Sequence, residues 1–500
     1  MALLSSALSD QLGSKQILEI AFASIVLFSI SLATTWIYRL YFHPLAKFRG
    51  PHEAALSRRW LFEQQQAKFP ERIFEELHQA YGAALRIGPN ELHLTDVSLY
   101  KEIYNQTTPY LKSKSFYDGF LTAHTVFAEC DPILHKERRK LLNPFFSRTG
   151  VLKLEPIIDE KIKIFLEKLG EVCPLGPIDA SRAFRCLTVD VISQFAFGRS
   201  RDLIHETPGG FDAALLRAID SGGDQLALLQ HSYVTLFFAE RLPLSLVARV
   251  DKTVAQIHYL HEFARDSVSQ HKTRRGKSPH PVIFDNLQGL SDEYQAMEAV
   301  DILLAGSDTT AFTVATALFY ILSNESIRTR LVQELKQNIP DSKAMPPLQQ
   351  LENIQYLWAT VKESLRLAMP VPGLLPRIVP NGPSPLTVDG QVVPPGTIIG
   401  MSAYTMHFST DLWGPNARSF NLERWLGPEG KSLDQYLCTF SKGVWQCIGI
   451  NVAHAESTML LAHLFRKYDM KLKTKQLDVT DNFVSTYHDG VYVDFKYAPA

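Results

Sequence analysis

Phe440-Ser441-Lys442-Gly443-Val444-Trp445-Gln446-Cys447-Ile448-Gly449 is the stretch that decides how the rest of the chain is read. It sets one thiol, Cys447, between two glycines and just ahead of Asn451 to Leu464, whose apolar positions recur at helical spacing. A helix beginning beyond a cysteine turns its positive end toward the sulfur and favours thiolate over thiol. Gly443 and Gly449 suit a tight turn that brings backbone N–H groups toward the sulfur, and Phe440 supplies an aromatic lid. A thiolate held this way can ligate iron. By itself, however, a cysteine in apolar surroundings is an ordinary small core residue, so the reading depends on its company.

Three further motifs lie upstream: Ala305-Gly306-Ser307-Asp308-Thr309-Thr310, Glu363-Ser364-Leu365-Arg366, and Phe420-Asn421-Leu422-Glu423-Arg424-Trp425. Each is weak alone. A glutamate and an arginine three apart meet on any helix, and a surface pair of that kind contributes ~0–1 kcal/mol. In this order, with the cysteine run, they carry a resemblance: over nearly its whole length the chain resembles a cytochrome P-450, a haem-thiolate monooxygenase.

The resemblance implies a mainly α fold with a small β region. Cys447 becomes the axial ligand of haem iron, a thiolate that pushes electron density toward bound oxygen, with O2 as co-substrate. The helix through Ala296–Leu322 would cross the opposite face, with Ala305 and Gly306 beside the ring and Gly306 letting the backbone open locally. Asp308 and Thr309 would deliver protons. Glu363 and Arg366 would join Arg424 in a buried triad fixing the segment before the cysteine loop, through bidentate guanidinium bonds that lysine does not copy. Leu422 stands where a proline is usual. Phe440, Gly443 and Gly449 would frame the cofactor, and His135, Arg139 and Arg377 would hold its propionates. Substrate-facing positions would be Phe116, Tyr117, Phe120, Ile302, Leu374 and Leu375. One departure matters: two positions before the ligand the family carries an arginine, and this chain has Trp445, with one N–H and no charge. Looser haem retention or a shifted redox potential follows as an expectation.

Composition sets the remaining limits. The 500 residues are 46% hydrophobic and 21% charged with net charge -1, which describes a well-cored protein with no global attraction to nucleic acid. The basic run His271 to Lys277 reads as a solvated loop. Five irregularly spaced cysteines argue against a disulfide framework and for a reducing compartment, so the sequons at Asn105 and Asn324 would meet no glycosylating enzyme. Ile20 to Tyr38 runs without a charge, long enough to cross a bilayer core of ~30 Å. Arg39, Lys47, Arg49, Arg58 and Arg59 follow it, which places the C-terminal body in the cytosol. The expected organisation is a lumenal tail at 1–19, a single-pass anchor at 20–38 in the endoplasmic reticulum membrane, a proline-containing hinge at 39–51, and a catalytic domain at 52–500.

Two hairpins are expected, Ala84 to Ile87 with Glu91 to Thr95, and Leu386 to Val388 with Gln391 to Val393 turning at Asp389-Gly390. Between them apolar spacing predicts helices over Val151–Leu169, Leu187–Phe197, Val254–Gln270, Ala296–Leu322, Ser326–Gln337 and Ile354–Leu367. His258 and His261 with Glu262 lack a third metal ligand and read as a solvated helix face. No Gly-x-Ser-x-Gly elbow, dinucleotide fingerprint or phosphate loop is present, so no hydrolase, nicotinamide or flavin unit is fused here. By the resemblance, electrons come from NADPH through a separate membrane-bound reductase, which would dock near Lys442, Arg138 and Lys140. The stretch Gln446 to Glu456 is similar to fungal enzymes of secondary metabolism such as the trichodiene oxygenase group, which implies a terpenoid, polyketide or alkaloid substrate, hydroxylated or epoxidised. A non-oxygenating rearrangement or ring closure and a non-catalytic haem-binding role are the alternatives.

Overall fold

The computed structural model describes residues 14–107, 110–274, 278, 280–342 and 345–498. Most of the expected lumenal tail, and Arg275 to Lys277 of the basic run, lie outside the described residues.

The organising element is the helix Asp292–Leu322. Its start is specified locally: the Ser291 side chain accepts from the Tyr294 N–H, and Asp292 and Glu293 face the positive end of the helix dipole. Apolar and small residues then cover most of its circumference, as a helix enclosed on every side requires. It packs against Ala180–Phe197, Lys252–Thr273, Gln355–Ala368 and Ile450–Lys467. At Gly306 an added Cβ would fall 2.5 Å from Ile192 Cγ1. The glycine is therefore needed for close approach of the Ala180–Phe197 helix. The helix runs as α-helix without interruption, so the expected local opening at Gly306 is corrected: the residue serves packing.

The helices expected from periodicity are all present, most with extended ends, for example Arg148–Val172 and Glu325–Asn338, while Gln355–Ala368 is shifted by one residue. Ala214–His231 and Tyr233–Ala239 were not anticipated. Both hairpins form. The first pairs Ala84–Gly88 with Glu91–Leu94. The second pairs Thr387–Val388 with Gln391–Val392 through Asp389 and Gly390, both at positive φ, and the Asp389 carboxylate accepts from Ala83 and Ala84 N–H at 2.9 and 3.2 Å. The first hairpin joins a five-stranded sheet in the order Ala84–Gly88, Glu91–Leu94, Ile398–Gly400, Arg377–Ile378, Leu111–Lys112. The last pair matters most for the site, because its register sets Lys112 directly opposite Arg377. A three-stranded and a two-stranded sheet near the C-terminus complete the β region.

The N-terminal helix Ser14–Ile37 continues as a π-turn at Tyr38–Phe42 and stops before Pro44. Leu18–Phe42 is long and apolar enough to cross a membrane, and its apolar window is not buried against the body. Beyond it Leu45 and Phe48 are buried among Ala84, Leu92 and Val388. All five cysteines are unpaired.

Candidate functional site

A cavity of about 950 Å³ lies between the Asp292–Leu322 helix and the 438–449 loop. The loop is folded on itself: Cys447 N–H donates to the Phe440 carbonyl at 2.9 Å, Gln446 to Gly443 at 3.1 Å and Ser441 to Cys438 at 2.8 Å. Cys447 lines the cavity and is open to it, as is Phe440. Gly449 is the N-cap of Ile450–Lys467. Burial pushes the Cys447 thiol up, while the Gly449 amide and the charge of Arg139 pull toward thiolate. Gly443 has a different job from the one expected. Its φ is +78°, and a Cβ there would fall 2.3 Å from the Asn105 carbonyl oxygen, which also accepts the Val444 N–H at 3.2 Å. Gly443 thus seats the loop on the 104–105 segment and does not crowd toward the sulfur.

Opposite the thiol stand Ile302, Ala305 and Thr309. Ala305 is exposed in the otherwise enclosed middle of the helix, so what it faces is the cavity. Thr309 Oγ1 donates to the Ala305 carbonyl at 2.9 Å. Asp308 is buried and held bidentately by Arg185, at 2.8 and 3.0 Å, with a third bond from Ser307 Oγ at 2.7 Å. Arg185 also reaches Asp220 at 2.8 Å. Against burial, which would lower it, the two carboxylates hold Arg185 above its usual range. The sequence reading missed Arg185 because its partners lie far away along the chain. Glu456 was missed as a site group too: burial pushes its carboxyl up to about 8, tempered by Thr310.

The expected triad is assembled. Arg366 Nε and Nη2 donate to Glu363 at 2.9 and 2.8 Å, Arg424 Nε donates to the same carboxylate at 3.2 Å, and Trp425 Nε1 adds a bond at 2.8 Å. Arg366 and Glu363 are fully buried. Arg366 further binds the carbonyls of His407, Ala417 and Ser419. The route to the thiol is explicit: His407 Nε2 accepts from the Cys438 N–H at 2.8 Å, and Thr439 Oγ1 donates to the Leu365 carbonyl at 2.7 Å.

One end of the cavity collects basic side chains. Lys112, His135 and Arg139 line it, and Arg377 stands behind them against Tyr117, its Nη1 3.0 Å from the hydroxyl. Arg377 Nε is buried with no partner. Lys112 and Arg377 face one another across two strands, an arrangement that is destabilising for like charges unless an anion compensates it. Burial lowers Lys112 to about 7, with Arg377 adding to the shift. Burial likewise lowers His135 to about 3, with Lys112, Arg139 and Arg377 adding. Lys112, absent from the sequence reading, lies 4.5 Å over the Trp445 ring, which packs against His135 at 4.4 Å between centroids. A buried cationic cluster with an unpartnered guanidinium nitrogen, beside an accessible thiol, suits a flat apolar group bearing carboxylates at one edge and a metal at its centre. Haem fits that description.

Of the expected substrate positions, Phe120, Ile302 and Leu375 line the cavity. Phe116, Tyr117 and Leu374 do not, and are corrected. Phe116 and Tyr117 are buried behind Phe120, and Leu374 packs under Gly400, where a Cβ would meet it at 2.7 Å. Phe127 and Phe483, at 4.8 Å from Phe120, take their place. His261 also lines the cavity, and burial lowers it to about 4, so that helix face is not simply solvated.

The family profile described as cytochrome P-450 matches residues 53–491. Among curated relatives, the cytochrome P-450 monooxygenase macH of Penicillium terrestre is 32% identical over 471 residues, covering 89% of this chain and 90% of its own. The cytochrome P-450 monooxygenase sdnE of Sordaria araneosa is 32% identical over 496 residues, covering 93% of each. The cytochrome P-450 monooxygenase BOT1 of Botryotinia fuckeliana is 29% identical with 99% of each chain covered, a span that includes the N-terminal helix.

Proposed function

The chain belongs to the cytochrome P-450 family of haem monooxygenases, and on that premise we propose that it inserts one oxygen atom into a lipophilic small molecule of fungal secondary metabolism, using electrons that pass from NADPH through a separate reductase at the endoplasmic reticulum membrane. The observation that carries this reading is the open Cys447 thiol, across from Ala305 and Thr309 in a cavity whose far end is lined by Lys112, His135 and Arg139 with Arg377 behind them. Haem bound there supplies the oxygen-activating redox chemistry.

Each side chain then has a task. Cys447 would ligate iron, with the Gly449 amide and the helix end at Ile450 favouring its thiolate. Lys112, His135, Arg139 and Arg377 would receive the propionates, with Lys112 supplying the charge that Trp445 lacks. The triad of Glu363, Arg366 and Arg424 would fix the loop through His407 and Thr439. Thr309 would present its hydroxyl at the cavity wall. Asp308 would take up and pass a proton when its pair with Arg185 opens and frees the two carboxylate oxygens that the guanidinium holds. Phe120, Phe127, Phe483, Ile302 and Leu375 make an apolar wall that would exclude water and orient a hydrocarbon skeleton.

The test is the reduced, carbon-monoxide-bound absorption spectrum, followed by reductase-dependent NADPH oxidation with candidate terpenoids and polyketides. A thiolate-type Soret band and NADPH consumption matched to oxygenated product support the reading. A thiolate band with product formed without NADPH would favour the rearrangement chemistry, and no haem would refute the site.

A further inference from the structure

A second cavity, of about 650 Å³, opens where the N-terminal helix meets the body. Arg39, Arg58 and Arg59 line it, together with His231 and Tyr233. Arg86 lies just beneath, 3% exposed, donating to the carbonyls of Arg39 and Pro89 at 2.9 and 2.7 Å. Among the described residues neither Arg39, Arg58 nor Arg86 is within ion-pair distance of a carboxylate. The buried Nε atoms of Arg58 and Arg86 have no hydrogen-bond partner, and neither has His231 Nδ1. The one acid in the lining among the described residues is Glu91, itself buried, whose carboxyl is pushed up by burial and drawn back by Arg58. Burying a guanidinium without a counter-charge is costly: Arg86 is buried with only carbonyls as partners, and beside it stand the half-buried Arg58, its Nε unpartnered, and Arg39, bonded to the Leu56 carbonyl, a cluster of three cations that suits an anion.

Position identifies the anion. Trp36, Tyr38, Tyr41 and Phe42 are exposed around the end of the span, forming the aromatic belt that marks the headgroup level of a bilayer, and Arg39 lies within it. On the other side of the cavity Tyr233, Val234, Phe237 and Phe238 expose a second apolar patch. The cationic pocket is thus bordered by two surfaces suited to lipid. We propose that it binds the phosphate of one anionic membrane phospholipid, with Arg58 and Arg39 as ligands, Arg86 adding charge from below, and the acyl chains lying along 233–238. A zwitterionic phosphatidylcholine would bind less well, because its choline would carry positive charge into the same pocket. This inference rests on the span and the pocket and is independent of the oxygenase reading.

Native mass spectrometry of the full-length chain, solubilised in detergent with equal amounts of dioleoylphosphatidylinositol and dioleoylphosphatidylcholine, tests it. The expected result is retention of one phosphatidylinositol, preferred on the order of ten-fold because only phosphatidylcholine brings a cation among the arginines, and lost in the Arg39→Gln, Arg58→Gln double variant while its thiolate spectrum persists. Equal retention of both lipids by the native chain would overturn the proposal without recourse to any variant. So would undiminished preference in the double variant, or displacement of the lipid by millimolar inorganic phosphate, which would mark a soluble-phosphate site.

Discussion

Replacing Lys112 by methionine probes the electrostatics of the haem pocket most directly. The Lys112 side chain is 5% exposed; one N–H is committed to the Phe127 carbonyl at 2.6 Å and the ammonium rides 4.5 Å above Trp445. Two donors remain for a propionate. A hydrogen bond to a charged group contributes about 1.5–3 kcal/mol, so haem loss from Lys112→Met should accelerate by roughly ten- to hundred-fold. The assay is haem transfer to excess apomyoglobin, followed by absorbance, with the ferric/ferrous midpoint potential as a second readout. Trp445→Arg sharpens the test. Two cations at 4.5 Å repel by about 4 kcal/mol at an effective dielectric constant near 20. Restoring the family's arginine alone should therefore not improve retention, whereas Lys112→Met with Trp445→Arg should recover most of what Lys112→Met loses. Lys112 stands at about 7 without an anion, lowered by burial and Arg377. Haem capture above that pH takes up a proton, so affinity should fall by up to about ten-fold per pH unit until the raised, haem-bound value is passed. Unchanged haem loss in Lys112→Met, or slower loss in Trp445→Arg alone, would rule out Lys112 as the cation that replaces the missing arginine.

Arg366→Lys should abolish the thiolate spectrum or cost ~3–5 kcal/mol in urea unfolding, since lysine cannot satisfy Glu363 and three carbonyls at once; a normal spectrum and midpoint would contradict this. Gly306→Ala should destabilise by ~1–3 kcal/mol through the clash with Ile192, and Ile192→Ala should offset part of that loss, measured as a non-additive double-mutant cycle. Glu298 is raised to about 8, first by burial and then by Asp301. The folded state therefore holds a proton that the unfolded state releases around the ordinary glutamate value of 4.5, and stability should fall as pH rises through that window, by up to about 1.4 kcal/mol per unit. Glu298→Gln should flatten the slope in thermal melts, and an unaltered pH profile would count against it.

The parts of the site legible in the sequence were those fixed by short-range grammar. Cys447 and Gly449 announce a helix N-terminus, and Glu363 with Arg366 lie one turn apart, so residue type and spacing suffice. Lys112 was hidden because it sits on a strand only two residues long, which has no periodicity to read, and acquires meaning through its register with Arg377, far along the chain. Arg185 and Glu456 were hidden for the same reason, since burial and a distant partner define them. Phe116, Tyr117 and Phe120 show the converse. Local sequence named an aromatic cluster, but which ring faces the cavity is decided by Phe127 and Phe483, which only the tertiary fold brings near. Gly306 and Gly443 were located correctly and misread, because a glycine's neighbours across the fold cannot be inferred from the glycine.

The burial of Leu45 and Phe48 changes where the membrane attachment ends in practical terms. Those two side chains plug the sheet beside Ala84 and Leu92, so the segment after Pro44 is masonry of the body and no slack tether. The orientation of the globule over the bilayer is consequently restrained within a few residues of the span, at the π-turn Tyr38–Phe42. A water-soluble version of this enzyme should begin at His43; cutting at His52, where the catalytic fold nominally starts, would leave an open apolar socket and an aggregating protein.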